Sequence, residues 1–570
     1  GGHGQRHRNA VGKPRGDDLV AAAAGPERED EHLHGWAAYE GPAGARRSRF
    51  DTPGSRCTRG LSSGLLRPLP SAHRDDGVHR GTGANRTSIE GNALVAMLEE
   101  VRTAPEVRDG EYGTRVATVE PGGAEFIPIG ERHGGPLQLF WTWTSPNFEF
   151  ATIFVGVIGI GFFGLSFAQS ALAIVVGTLL GSLTLGLLSA RGPQYGVPQM
   201  VLSRISFGYR GNILPAGLNA VTAGIGWFAV NSVSGAFALN ALTHLPKLLC
   251  LVVVVLVQSV IAVFGHNLVQ TFERFAFPVL AAAFVLASID ILTKAHPSAV
   301  HGTGGVGGFL LTMGSCFGYA AGWNPYASDY TRYFSPKTPK AATAWWSAFG
   351  CAASCILLEV VGAASMTIVK GQQVGANPTS DFTGHMPTAI ADITLAAIAI
   401  GAVSANALNI YSGSLSFAAL GIRMPLKLRR ALVTVVFGVI GFFVAWNGLS
   451  DAGSKYNNFL LVIAYWIGPW LAVVFTDQVL RRGQSVEVLL FAKTGRNWAG
   501  WISMAIAMAI SIPLFSNQTE YKGPIPKHFP AFGDFTFEAG FIIAAVVYAI
   551  LFVATGQNRR GLGEPTRLAV

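Results

Sequence analysis

The chain has 570 residues, of which 50% are hydrophobic and only 13% charged, with a net charge of +9. Soluble domains carry about 25% charged residues, so this balance excludes an ordinary soluble enzyme and predicts an all-α integral membrane protein. The positive charge sits in the N-terminal region, in short connections and in the C-terminal tail, which argues against a nucleic-acid-binding surface.

Residues 1–96 are rich in Gly, Arg, His and Pro, have no helical or strand periodicity and contain no Met. They read as a disordered or non-native extension, with Met97 opening ordinary protein text. Residues 97–146 then form a cytoplasmic segment, 147–555 a transmembrane domain and 556–570 a cytoplasmic tail. Apolar runs of about 20 residues mark spans. They are expected near 147–168, 171–190, 213–241, 248–265, 273–293, 306–328, 343–369, 388–420, 431–447, 457–480, 498–516 and 536–555, twelve in all. Lys and Arg outnumber three to one on one set of loops, and the other set holds only Lys247, Lys294, Lys370, Lys455, Lys522 and Lys527. The positive-inside rule places both termini in the cytoplasm.

Two patterns carry little chemistry. Gly159-x-Gly161-x-x-Gly164 lies inside a span, without the strand and βαβ unit that give a dinucleotide motif its meaning; close helix packing is the better reading. Cys351 and Cys355, four apart, share a helix face as small apolar residues.

Intramembrane polar residues are more informative, because each is costly unless paired or facing water. The first span opens on Ser145-Pro146-Asn147-Phe148-Glu149. The third carries Trp227 and Asn231, one turn apart. The sixth is broken at Gly322-Trp323-Asn324-Pro325-Tyr326, with Tyr319 one turn before and Ser328 one turn after. Glu359 lies in the seventh, and Ser404, Asn406, Asn409 and Ser412 thread the eighth. A helix broken at membrane depth is tolerated where it lines a cavity. Aromatic faces stack on a planar ring, and amides offer both donor and acceptor to its edge. A nucleobase or hydantoin fits that combination; a fatty acid does not.

At these residues the chain resembles the nucleobase:cation symporter-1 family of purine–cytosine permeases and hydantoin transporters, over about residues 131–555. The resemblance is carried by Glu131-Arg132-His133-Gly134-x-Pro136, by Gly192-Pro193-x-x-Gly196-x-Pro198-Gln199-Met200-x-x-Ser203-Arg204, by Pro325-Tyr326-Ala327-Ser328-Asp329-Tyr330-Thr331-Arg332-Tyr333 and by Asn406-x-x-Asn409-Ile410-Tyr411-Ser412. The third segment is nearer the purine–cytosine branch. The resemblance implies a LeuT-type fold, with inverted repeats at about 147–293 and 306–480, two extra helices within 498–555, and discontinuous first and sixth helices. It implies a substrate site of Trp227 and Asn231, of Tyr319 or Trp323 with Asn324, and of Asn406 and Asn409. It implies ion coupling near Asn147 and Ser404, where Na⁺ would bind. In sodium-coupled relatives two consecutive hydroxyls serve; here the pair is Ser404-Ala405, a departure that favours protons, with Glu149 or Glu359 as carriers.

The expected protein is thus a symporter of the cytoplasmic membrane that imports a nucleobase-like ring with H⁺ or Na⁺ and needs no other cofactor. Its partners are that small molecule and the lipid bilayer. A hydantoin or allantoin transporter of the same fold is the alternative. A membrane-embedded enzyme would need a catalytic cluster in the loops, and a channel a continuous polar pore.

Overall fold

The computed structural model describes residues 123–263, 266–369, 371–422, 426–492 and 497–557. The expectations for residues 1–96 and for most of the C-terminal tail lie outside them. The described chain is helical; its one β-type contact is an isolated bridge between Asn517 and Lys522. Among the described residues, seven helices are long and apolar enough to cross a membrane. Shorter apolar helices such as Phe150–Gly161 and Ala499–Phe515 accompany them.

In chain order the helices are α1a (Gln138–Thr144) and α1b (Phe150–Gly161), α2 (Phe167–Ser189), α3a (Ile213–Val221) and α3b (Phe228–Thr243), α4 (Lys247–Val263), α5 (His266–Lys294), and α6a (Gly305–Ala321) with α6b (Ala327–Thr331). They continue with α7 (Lys340–Ser365), α8 (Thr388–Ala419), α9 (Leu426–Gly448), α10 (Ala452–Leu480), α11 (Ala499–Phe515) and α12 (Thr536–Ala554). Large apolar side chains such as Leu183 and Leu187 on α2, Val279 on α5 and Ile550 on α12 stay exposed. On a helix of membrane length such a face meets lipid.

Two groups of helices pack within themselves. In one, α2 lies against α6a and α7, and α7 against α1b; in the other, α3b, α4, α8 and α9 pack on one another. Small residues allow the close approaches of the first group. A Cβ added at Gly156 would lie 1.6 Å from the Glu359 carbonyl oxygen, and one at Gly362 would lie 1.8 Å from that of Ile153. The backbones of α1b and α7 therefore touch directly, as small-residue helix crossings permit. Likewise Gly159 has room only for a hydrogen beside Ser170 and Thr312, which is the packing role expected of this glycine run. Outside the two groups, α5 runs against α8, α10 against α6a, and α12 against α10 and α11.

The interruptions differ from expectation. The first span was expected to begin at Asn147, but helix starts at Gln138 and residues 145–149 fall in the middle of the element. Ser145–Asn147 form a single 3-10 turn with Pro146 in its first positions, and Phe148 and Glu149 leave helical geometry, Glu149 being extended at φ −152°, ψ 157°. This is the deeper break. The sixth helix, expected to be the more visibly broken, keeps αR-region angles at Gly322 and Trp323 and only tightens into a 3-10 turn at Asn324–Tyr326. A π turn at Thr222–Trp227, not anticipated, separates α3a from α3b. Such turns widen a helix locally and are frequent at functional positions.

Candidate functional site

The two interruptions meet. The Trp323 indole N–H donates to Asn147 Oδ1 at 3.0 Å, while Asn147 Nδ2 donates to the Trp143 carbonyl at 2.6 Å. Thr152 Oγ1 donates to the Asn147 carbonyl at 2.6 Å and stands 2.5 Å from the Tyr319 hydroxyl. The backbone freed by the α1 break is thus partly satisfied by side chains, as burial at membrane depth demands.

Aromatic rings gather against this junction. Trp227, the last residue of the π turn, meets Tyr319 edge-on at 5.5 Å and Phe459 at 5.2 Å. It also packs on Gly322, where a Cβ would come within 2.8 Å of the indole. Trp323 meets Trp143 and Tyr326 edge-on, not Trp227. Of the two helix-six rings left open by spacing, Tyr319 is therefore the neighbour of Trp227, and Trp323 belongs to the α1 break.

The amides come from the other helix group. Asn231 Nδ2 donates to Asn406 Oδ1 at 3.2 Å, and Asn409 Nδ2 to the same oxygen at 3.4 Å. Asn409 Oδ1 accepts from the Tyr326 hydroxyl at 3.2 Å, which ties α8 to the α6 turn. Asn324 is turned elsewhere: its Nδ2 donates to Thr184 on α2 at 2.7 Å. Below this level α6b is laced to α8, with Tyr330 and Ser412 3.4 Å apart and Arg332 donating to the Tyr411 hydroxyl at 3.3 Å. On the opposite side, a cavity of about 330 Å³ opens between α1b, α3b and the α9–α10 turn. Phe150, Phe154, Gly226, Ser234, Tyr456 and Phe459 are among its walls, and Phe459 is also the ring that Trp227 meets. That volume lies at the lower end of small-molecule pockets, ~300–1,000 Å³.

Three glutamates are buried among the described residues. Glu149 is buried at the extended break, and its carboxylate caps α1b by accepting from the Ala151 N–H. Glu359 accepts from Thr178 Oγ1 at 2.6 Å, between α2 and α7 and so within one helix group. The third, Glu273 on α5, was not anticipated. It is fully buried and accepts the Ser404 hydroxyl at 2.7–2.8 Å. Both α5 and α8 pack on the turn at Ser145–Asn147. Glu273 opens the expected fifth span and looked like a boundary residue; helix in fact begins at His266. Its oxygens meet the Ser404 hydroxyl, and carboxylate and hydroxyl oxygens are the ligand types a hard cation takes.

A model of permeases for cytosine/purines, uracil, thiamine and allantoin matches residues 126–532. The chain is 28% identical to YxlA of Bacillus subtilis over 459 residues, covering 77% of this chain and 97% of that protein. It is 28% identical over 456 residues to the purine-cytosine permease fcyB of Emericella nidulans, covering 76% and 88%. Among solved structures it is similar to Mhp1, a nucleobase-cation-symport-1 family transporter, in a closed conformation with bromovinylhydantoin bound. The TM-score is 0.61 and the identity 21%, over 77% of this chain and 96% of that one. Mhp1 carries the fold comparison: the chain has the discontinuous-helix, LeuT-type architecture that the two packed groups displayed. The chain is a multi-pass membrane transporter, not an enzyme, and it belongs to the family of permeases for cytosine/purines, uracil, thiamine and allantoin.

Proposed function

We propose that the protein is a secondary active symporter that imports a nucleobase-type heterocycle across the cytoplasmic membrane, with both termini inside. One observation carries this reading: the Trp227 and Tyr319 rings and the Asn231 and Asn409 amides converge where the interrupted α1 and α6 face α3b and α8. Trp227 offers a stacking face, and the amides offer hydrogen bonds to a ring edge. The naming of fcyB as a purine-cytosine permease supports the substrate class. Alternating access follows as relative motion of the two helix groups around this site.

The coupling ion is H⁺ or Na⁺. Of the three buried glutamates, Glu273 is the one that spans the junction of α5, α8 and the α1 break. A cation that neutralises it there is held by α5 and α8 beside the α1 break, and that position links ion binding to the arrangement of the break.

Purified protein in proteoliposomes loaded with unlabelled cytosine should take up external labelled cytosine by counterflow. Adenine, hypoxanthine, uracil, allantoin and hydantoin added as competitors would rank the rings. Absence of counterflow with every ring would refute the reading, and competition by allantoin and hydantoin alone would move the protein to the hydantoin branch.

A further inference from the structure

Asn406 is buried completely and already has partners for both ends of its amide. The chain of partners has a direction. Ser232 Oγ donates its one proton to the Phe228 carbonyl at 2.6 Å, so it can only accept from others. Gln258 Nε2 donates to it at 2.7 Å. That contact turns the Gln258 carbonyl oxygen toward Asn406, whose Nδ2 donates to it at 2.7 Å and to the Phe228 carbonyl at 3.0 Å. Two carbonyl oxygens cannot donate, so Asn406 must present its NH₂ to them and its Oδ1 to Asn231 and Asn409. The orientation of each amide is therefore fixed by the network, with a peptide carbonyl as the anchor that cannot flip.

This direction decides what the neighbouring amides have left. Asn231 spends one N–H on Asn406 and keeps its Oδ1 and a second N–H. Asn409 spends one N–H on Asn406 and its Oδ1 on Tyr326, and keeps one N–H. The residual set is one acceptor and two donors. We infer that this buried relay, anchored by the Phe228 carbonyl and Gln258, sets the hydrogen-bonding polarity of the site and selects rings that carry an N–H donor beside an acceptor on one edge. The inference rests on the reading of Asn231 and Asn409 as part of the heterocycle site, and it narrows the substrate class of that site. Gln258 is a positioning residue on α4. It acts through Asn406, and a hydrogen-bonded relay in a low-dielectric interior holds its direction more firmly than single bonds would.

The test uses labelled cytosine counterflow with pairs of competitors that differ by one N-methyl group: hypoxanthine and 1-methylhypoxanthine, uracil and 3-methyluracil. In the wild type the methylated member of each pair, which has lost the N–H next to the C6 carbonyl of hypoxanthine or between the two carbonyls of uracil, should compete roughly tenfold more weakly. Gln258→Leu should weaken the unmethylated competitors by a similar factor and leave the methylated ones unmoved, so that discrimination collapses. Ser232→Ala, a smaller change, should move the ratio in the same direction, and it carries the test if Gln258→Leu fails to insert. Equal weakening of both members, or an unchanged ratio, would mark Gln258 as mere packing and overturn the inference. Wild-type transport indifferent to N-methylation would also overturn it while leaving the proposed function standing; no counterflow with any ring would instead defeat the function itself.

Discussion

Trp323 donates its indole N–H to Asn147 Oδ1 at 3.0 Å, and through that bond the turn of α6 holds the break of α1. Both residues are buried, so each polar atom needs its partner. Trp323→Phe keeps a ring but orphans the Asn147 oxygen, at a cost of about 1–3 kcal/mol. The expected result is a lower unfolding temperature in detergent and slower counterflow. An unfolding temperature equal to the wild type would show that the break is held elsewhere.

Trp227 lies between the Gly322 backbone, the Tyr319 ring and the Phe459 ring, which lines the 330 Å³ cavity. Trp227→Ala should weaken ring binding by about tenfold or more, since aromatic contact and lost burial add. Trp227→Phe should recover part of the loss. Ligand-protected thermal shifts at a series of cytosine concentrations would read both. An unchanged affinity in the Ala variant would assign Trp227 to packing alone.

Glu273→Gln retains shape and a hydrogen-bonding partner for Ser404 but removes the charge that the proposed coupling ion would neutralise. Counterflow should persist, whereas accumulation against a gradient should collapse. Glu359→Gln, which changes a contact inside one helix group, should leave accumulation close to the wild type. The same vesicles distinguish the ions: dependence on an imposed Na⁺ gradient, or on an imposed pH gradient with sensitivity to a protonophore. Accumulation that survives Glu273→Gln but fails in Glu149→Gln would move coupling to the α1 break.

His385 lies in the connection before α8, and its affinity for a proton is lowered, first by burial and then by Lys294. Gln372 Nε2 stands 3.0 Å from its Nε2, and an amide N–H can only donate, so the ring is neutral and accepts. The folded value falls below the ordinary 6.5. The unfolded chain therefore binds the proton first: stability from this contact is complete above 6.5 and is lost as pH falls toward the lower folded value. Hydrogen-exchange protection across residues 371–387, taken relative to the intrinsic rate at each pH, should fall as pH drops from about 7 to about 5. In His385→Asn that loss of protection should vanish, and its persistence would point to another group.

The sixth-helix interruption was legible because Gly, Trp and Pro fall together inside an apolar run. The first was under-read for a physical reason: Trp141, Thr142, Trp143 and Thr144 have little hydropathy, yet they form helix because their polar atoms find partners inside the protein, as when Thr144 donates to the Gly350 carbonyl at 3.1 Å. Asn231, Asn406 and Asn409 stood out as costly amides in apolar helices. That Asn406 is spent on its neighbours could not be read, since it depends on α4 bringing Gln258 alongside. Gln258 did carry a signal, as a polar residue within Leu251–Val263, but one amide in such a run does not name its partner. Glu273 was hidden by a boundary placed several residues too late.

At the crossing of α1b with α7, Gly156 lies under the Glu359 carbonyl and Gly362 under that of Ile153. No side chain is interposed there to act as a bearing, so these two helices have no freedom to slide and must travel as one plank. The consequence is mechanical: a single added methyl at this crossing would act as a shim, prying the plank apart without touching any residue of the proposed ring site.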